Sequence, residues 1–168
     1  MTITTEHPLH QAQVDPKDPR DLVSPEVFEK VTTHLAKKME VTKVYAERMF
    51  GQALVFLKAY ADTRKAKSKA MLLPDGTGYR VVPDVTVDPA WHAFIEHTED
   101  YVPFCREIAG EYIHHRPVLT AEMRSGHALE HTLPALYATG YRVDPEFWST
   151  ATSCCPPCCA PPILPPLS

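Results

Sequence analysis

The sequence has no long hydrophobic run and no recognisable export leader. None of its apolar stretches approaches the roughly 20 residues of a membrane-spanning helix. The start MTITTEHPLHQAQ also lacks the positive charge and apolar stretch of an export signal. We therefore expect a cytoplasmic protein with no membrane partner. In that compartment its five cysteines are expected to be thiols or metal ligands rather than disulfides.

An excess of positive charge is also missing. The chain has 17 basic and 21 acidic side chains and a net charge of −4, which argues against nucleic-acid binding by phosphate neutralisation. The one basic run, residues 64–69, is flanked by loop signals and is interpreted as a solvated linker. The sequence has no phosphate loop, no cofactor fingerprint and no nucleophile with an evident base, so no particular reaction is indicated.

Composition divides the chain into three parts. Residues 1–23 are polar and punctuated by proline, and residues 149–168 form a tail rich in proline and cysteine. Both ends lack periodic apolar positions, so we predict that they are disordered. Residues 24–148 are predicted to form one helical domain, which is long enough for a modest core.

Capping signals and apolar periodicity predict an all-α fold, a small bundle of about five helices. Ser24-Pro25 marks the start of the first helix, and Thr42 caps a longer second helix. The second helix is predicted to have one apolar face and to lie antiparallel to the first.

Three further helices are predicted after a loop rich in glycine and proline. Asp88-Pro89 repeats the cap-and-proline start, and Gly110 ends the fourth helix. The fifth is predicted to start at Thr120, to be kinked or divided at Pro134 and to stop near Gly140. Its apolar positions include Leu129, Leu133, Leu136 and Tyr137.

Side chains that commonly bind metal ions are concentrated between residues 88 and 117, which contain four of the nine histidines and one cysteine. At 100° per residue, Asp88, His92, Glu96 and Glu99 form a stripe beside the apolar side of the third helix. Neighbouring carboxylates would favour a protonated histidine or orient a neutral one for metal binding. The alternative interpretation makes Asp88 an N-cap and leaves the glutamates in solvent.

The segment 112–117 follows a helix stop and precedes a proline, so we expect it to be extended. Side chains then alternate, and His115 faces inward with Ile113. We predict that His92 and His115, with Asp88 and Cys105, bind zinc or another transition metal such as iron. The alternative is an inward histidine held only by hydrogen bonds.

Two other motifs contain possible ligands. His127-Ala-Leu-Glu-His131 matches the H-x-x-E-H pattern of one metalloprotease class, but Pro134 follows directly, and we interpret the pair as surface histidines. The tail brings four thiols within six residues, a spacing suited to a soft cation or to reversible oxidation. These four are Cys154, Cys155, Cys158 and Cys159.

Several residues of this region also carry a family resemblance. The series Asp88-Pro-Ala-Trp91-His92, then Tyr101-x-x-x-Cys105, Gly110 and Ile113-His-His115-x-Pro117 resembles the core motif of the glycine-rich domain-containing protein family and its small bacterial relatives. The resemblance implies an uncharacterised domain and no defined reaction.

Three function classes remain, in this order. The first is a non-catalytic protein that binds metal or acts through the thiols of its tail. The second is an interaction module, or a leader-bearing substrate, whose C-terminal tail is bound or modified by a partner enzyme. The third is an enzyme that uses the histidines.

Overall fold

The structure is a computed structural model, and it describes residues 15–65, 81–115 and 127–148. These residues form five α-helices and no strand, which confirms the all-α prediction. The helices are α1 (Pro25–Met39), α2 (Lys43–Lys65), α3 (Asp88–Glu96), α4 (Thr98–Ala109) and α5 (His127–Ala138). Short 3₁₀ helices at Pro19–Leu22 and Pro145–Phe147 precede and follow them. In the part of the chain described, no helix has the length and apolar character needed to cross a bilayer.

The start signals of the first two helices are confirmed. The Ser24 side chain accepts the N–H of Val27 at the beginning of α1, and Thr42 accepts the N–H of Tyr45 at the beginning of α2. The chain reverses at Glu40, whose φ of 54° is left-handed. Phe28 and Phe50 then pack against each other between the two helices, with tilted rings whose centroids are 5.4 Å apart. The two helices lie antiparallel, as predicted.

Helix α2 is the centre of the molecule. It packs against all four other α-helices and against the 3₁₀ helix Pro19–Leu22. Every residue from 49 to 57 is buried, so the prediction of a single apolar face is wrong. Small or neutral side chains such as Gly51, Gln52 and Ala53 allow neighbouring elements to approach sides that an amphipathic helix would expose to water.

The two ends of the described region meet beside α2. The N–H of Lys17 donates to the carbonyl of Gly140 at 3.0 Å, and the N–H of Arg142 donates to the carbonyl of Lys17 at 2.9 Å. Pro19 is buried next to Gly51. The helical unit therefore includes residues on the N-terminal side of Ser24.

A buried amide fastens the C-terminal segment. Gln52 accepts the indole N–H of Trp148 at 2.9 Å and the backbone N–H of Asp144 at 3.0 Å, and it donates to the carbonyl of Arg142. Gln52 is 3% exposed, so these bonds replace the water that its amide loses. The contact fixes residues 142–148 against the central helix.

Helix α5 agrees only in part with its prediction. It continues through Pro134, so the proline does not divide it, and the predicted alternative, a kink there, stays a prediction. Leu136 is fully buried, whereas Tyr137, predicted on the apolar side, is 61% exposed. The next position on a helix is rotated by about 100°, which carries Tyr137 outward when Leu136 faces α2. The predicted start at Thr120 and the side chain of Leu129 lie outside the residues described.

Candidate metal centre

Asp88 occupies the first turn of α3 rather than its cap. The residue before it, Val87, is the N-cap, and the carbonyl of Asp84 accepts the N–H groups of both Val87 and Asp88 at 2.9 Å. The predicted cap position is therefore wrong by one residue. As the first residue of the helix, Asp88 is 2% exposed and lies one turn before His92 on the same face.

His115 reaches the same place from the segment after α4. Gly110, with φ of 79°, ends α4 in the left-handed conformation, and the chain then runs without helix to His115. Ile113 is buried, His114 is exposed and the His115 side chain is only 18% exposed. The predicted alternation of side chains is confirmed.

The three side chains converge on one point. Nε2 of His115 lies 2.9 Å from Oδ1 of Asp88, and Nε2 of His92 lies 3.2 Å from Oδ2 of the same carboxylate. The two Nε2 atoms are 3.0 Å apart. Each residue thus offers a ligand atom within 4.8 Å of those of the other two. The cluster is closed on the Asp88 side, and His92, with a side chain 37% exposed, forms its outer edge.

Aromatic side chains pack against the cluster on the side that faces α2. The Trp91 ring lies 4.4 Å from the His115 ring and 5.1 Å from the Phe56 ring of α2, as measured between centroids. Its indole N–H donates to the Tyr101 hydroxyl at 2.9 Å, and that hydroxyl donates to the carbonyl of Ile113 at 2.7 Å. The chain of bonds ties α3 and α4 to the segment that carries His115.

Cys105 does not join the cluster. It is fully buried one turn after Tyr101, and its thiol lies beside the Tyr101 hydroxyl and the backbone of Ile113. Burial raises the pKa of the Cys105 thiol, and the hydrogen bond from Ile113 opposes that rise. Cys105 is therefore packed beneath the segment that carries His115. Cys105 and Tyr101 are one turn apart on α4, so their side chains point to the same side of the helix.

The carboxylate stripe predicted around His92 is only partly formed. Glu96 turns to α1, where it pairs with Lys38 and lies 3.4 Å from Nε2 of His34. The Lys38 hydrogen bond lowers the pKa of the Glu96 carboxyl. Glu99 is exposed on α4. Of this stripe, Asp88 lies within contact distance of His92, at 3.2 Å.

A second histidine pair lies outside the predicted site. Nδ1 of His34 on α1 lies 2.9 Å from Nε2 of His97, the residue between α3 and α4. Burial lowers the pKa of His97, and the neighbouring His34 lowers it further. The 100° spacing of side chains along α3 indicates only that His97 points away from His92. It carries no information about a partner 63 positions away in the sequence.

A polar cleft of about 280 Å³ lies where the two ends of the described region meet. Arg20, Arg48 and Arg142 line it, and each is paired with a carboxylate: Arg20 with Glu47, Arg48 with Asp144 and Arg142 with Asp18. Its charges are therefore satisfied within the protein.

The four predicted ligands of the tail, Cys154, Cys155, Cys158 and Cys159, lie outside the residues described. So do the side chains of His127 and His131, which were interpreted as surface histidines. Their roles stay predictions.

The described residues thus define a small helical protein with a cluster of two histidines and one carboxylate. Residues 70–139 match the model of a family described as UCP032817-like, which is uncharacterised. The resemblance to the glycine-rich domain-containing protein family is therefore wrong, because the matched region contains the motif on which it rested. No curated protein and no solved structure matches the chain.

Proposed function

We propose that this protein binds a divalent transition metal, with zinc as the first choice, through Asp88, His92 and His115. The observation that carries the proposal is the convergence of three ligand atoms separated by 2.9, 3.0 and 3.2 Å. Zinc bonds of about 2.0–2.2 Å in a tetrahedron separate ligand atoms by about 3.3–3.6 Å. Only a small adjustment would admit the ion.

Charge also supports a cation at this point. Asp88 is 2% exposed and brings an anionic oxygen to the point where both Nε2 atoms lie. A bound divalent ion would interact favourably with this carboxylate, and ligation would require both imidazoles to be neutral. Two histidines and one carboxylate also suit iron, so the donor set is compatible with either zinc or iron.

The proposal is for binding rather than for a reaction. The tail cysteines extend it, because four thiols within six residues suit a soft cation or attachment to a partner enzyme. Full-length protein purified without an affinity tag should be compared by elemental analysis with protein truncated after Trp148. Metal retained by both forms supports the cluster, and metal lost on truncation supports the tail.

Single variants test the cluster directly. His92→Ala, His115→Ala and Asp88→Asn should each abolish binding of one metal ion per chain, since each removes one of three ligands. His114→Ala and His127→Ala are the matched controls and should bind as the wild type does. Circular dichroism should confirm that every variant is helical.

Thermal unfolding gives an independent measurement. A ligand at 100 times its Kd stabilises the folded state by about 2.7 kcal/mol. Added Zn²⁺ should therefore raise the Tm of the wild type and of the His114→Ala control, but not that of His92→Ala. A wild-type protein that is neither loaded with metal nor stabilised by Zn²⁺ or Fe²⁺ would contradict the proposal and favour the interaction module.

A further inference from the structure

We propose that His34 and His97 form a pH-sensitive latch, which holds α1 against the α3–α4 junction at neutral pH and opens when both rings are protonated. The latch is separate from the proposed metal centre, since neither ring contacts Asp88, His92 or His115 in the contacts described.

The geometry favours one placement of the protons. The Glu96 carboxylate, which Lys38 holds ionised, lies 3.4 Å from Nε2 of His34 and favours the tautomer with a proton on that nitrogen. In neutral His34 the other nitrogen, Nδ1, is then an acceptor. It receives the Nε2–H of His97 across 2.9 Å.

A first added proton does not disturb this arrangement. It enters Nδ1 of His97, which takes no part in the contact between the rings. A second proton must enter Nδ1 of His34, where the hydrogen bond from His97 already lies. Two N–H groups would then face each other at 2.9 Å, so the doubly charged pair cannot keep the contact.

Charged groups from each packed element surround the pair. On α1 these are Lys30 and Lys38, and on α3 it is Glu96, whose carboxylate also interacts with His92 one turn earlier in the helix. Asp100 faces His97 from α4 and is itself paired with Lys30 at 2.6 Å. Burial of His97, the neighbouring His34 and Lys30 lower the pKa of His97, whereas the carboxylates of Asp100 and Glu96 act in the opposite direction.

The sign of the pH effect follows from proton counting. Below about pH 6 the unfolded chain binds a proton on both rings, and the closed latch holds one fewer. The folded state therefore loses stability as the pH falls. The unfolding equilibrium constant should increase about tenfold per pH unit below pH 6 on account of this pair.

Urea unfolding between pH 5.0 and 8.0 tests the latch, with EDTA present to exclude metal. The wild type and the exposed-histidine control His114→Gln should show the steep loss below pH 6. In the double variant His34→Gln/His97→Gln, the pH dependence of the unfolding equilibrium constant should be weaker by about one proton, which corresponds to a factor of about ten per pH unit. Equal slopes in the wild type and the double variant would overturn the proposal.

A measurement on the wild type alone covers the case in which the double variant does not fold. Ring ¹⁵N shifts at pH 7 should show Nε2 of His34 protonated and its Nδ1 unprotonated. As the pH falls, one ring should protonate well before the other, because the pair shares one contact. Two rings that titrate together at an unperturbed pKa would overturn the latch.

Discussion

Trp91 donates its indole N–H to the hydroxyl of Tyr101 over 2.9 Å, and the two side chains come from different helices. The same hydroxyl donates to the carbonyl of Ile113. One oxygen atom therefore joins α3, α4 and the segment that carries His115.

Replacing Tyr101 with Phe should remove that junction without changing the packing volume. The indole N–H and the Ile113 carbonyl would each lose a buried partner, at about 1–3 kcal/mol apiece. We expect the free energy of unfolding to fall by about 2–4 kcal/mol in urea titrations. The matched control is Tyr137→Phe at an exposed position, which should lie within about 0.5 kcal/mol of the wild type. A Tyr101→Phe protein of wild-type stability would show that the junction contributes little.

Trp91 itself should be needed for its bulk. It is 5% exposed and packs between Phe56 and His115, so Trp91→Ala opens a cavity and should cost about 3–5 kcal/mol. Trp91→Phe keeps an aromatic ring there and should be clearly less harmful. Thermal denaturation of the two variants measures the difference. Equal losses would indicate that the hydrogen bond, rather than the ring, is the main contribution.

The buried amide of Gln52 should be equally sensitive. Gln52→Leu keeps the approximate size but leaves the Trp148 indole, the Asp144 N–H and the Arg142 carbonyl without their partner. We expect a loss of about 3 kcal/mol or more, with faster proteolysis between residues 142 and 148. Glu47→Gln on the outside of the same helix alters only a surface ion pair with Arg20 and should have little effect. Undiminished resistance to protease in Gln52→Leu would contradict this role.

Cys105 should be chemically inert in the folded protein. Burial raises the pKa of its thiol, so the reactive thiolate is scarce at pH 7–8, and the sulfur is shielded from reagents. In a variant with the four tail cysteines changed to Ser, a thiol reagent should react with Cys105 far more slowly in buffer than in denaturing urea. Equal rates in the two conditions would mean that the core opens freely around α4.

The parts of the fold that local chemistry controls could be predicted from sequence. Ser24 and Thr42 cap helices because their side chains accept N–H groups three residues ahead, a relationship visible in the sequence. The alternation that turns His115 inward is equally local. The surroundings of α2 could not be predicted, since burial on every side depends on neighbours brought together only by folding.

The candidate site shows the same division. Asp88 and His92 are one helical turn apart, so their contact follows from spacing alone. The partners of Glu96 and His97 lie on α1, at separations of 58 and 63 residues, and no periodicity in α3 indicates them. Cys105 was predicted as a ligand because of its residue type, whereas its position on the inner side of α4 determines what it touches.

The backbone pairing of Lys17 with Tyr141 places the beginning and the end of the described unit side by side. A domain of this form can be circularly permuted, because a short linker can close the original ends and new ends can be opened elsewhere. Cargo fused before Lys17 and cargo fused after Trp148 would both start beside α2, where Pro19 contacts Gly51 and Trp148 donates to Gln52. The arrangement therefore suits this domain for insertion as a single module into a loop of another protein.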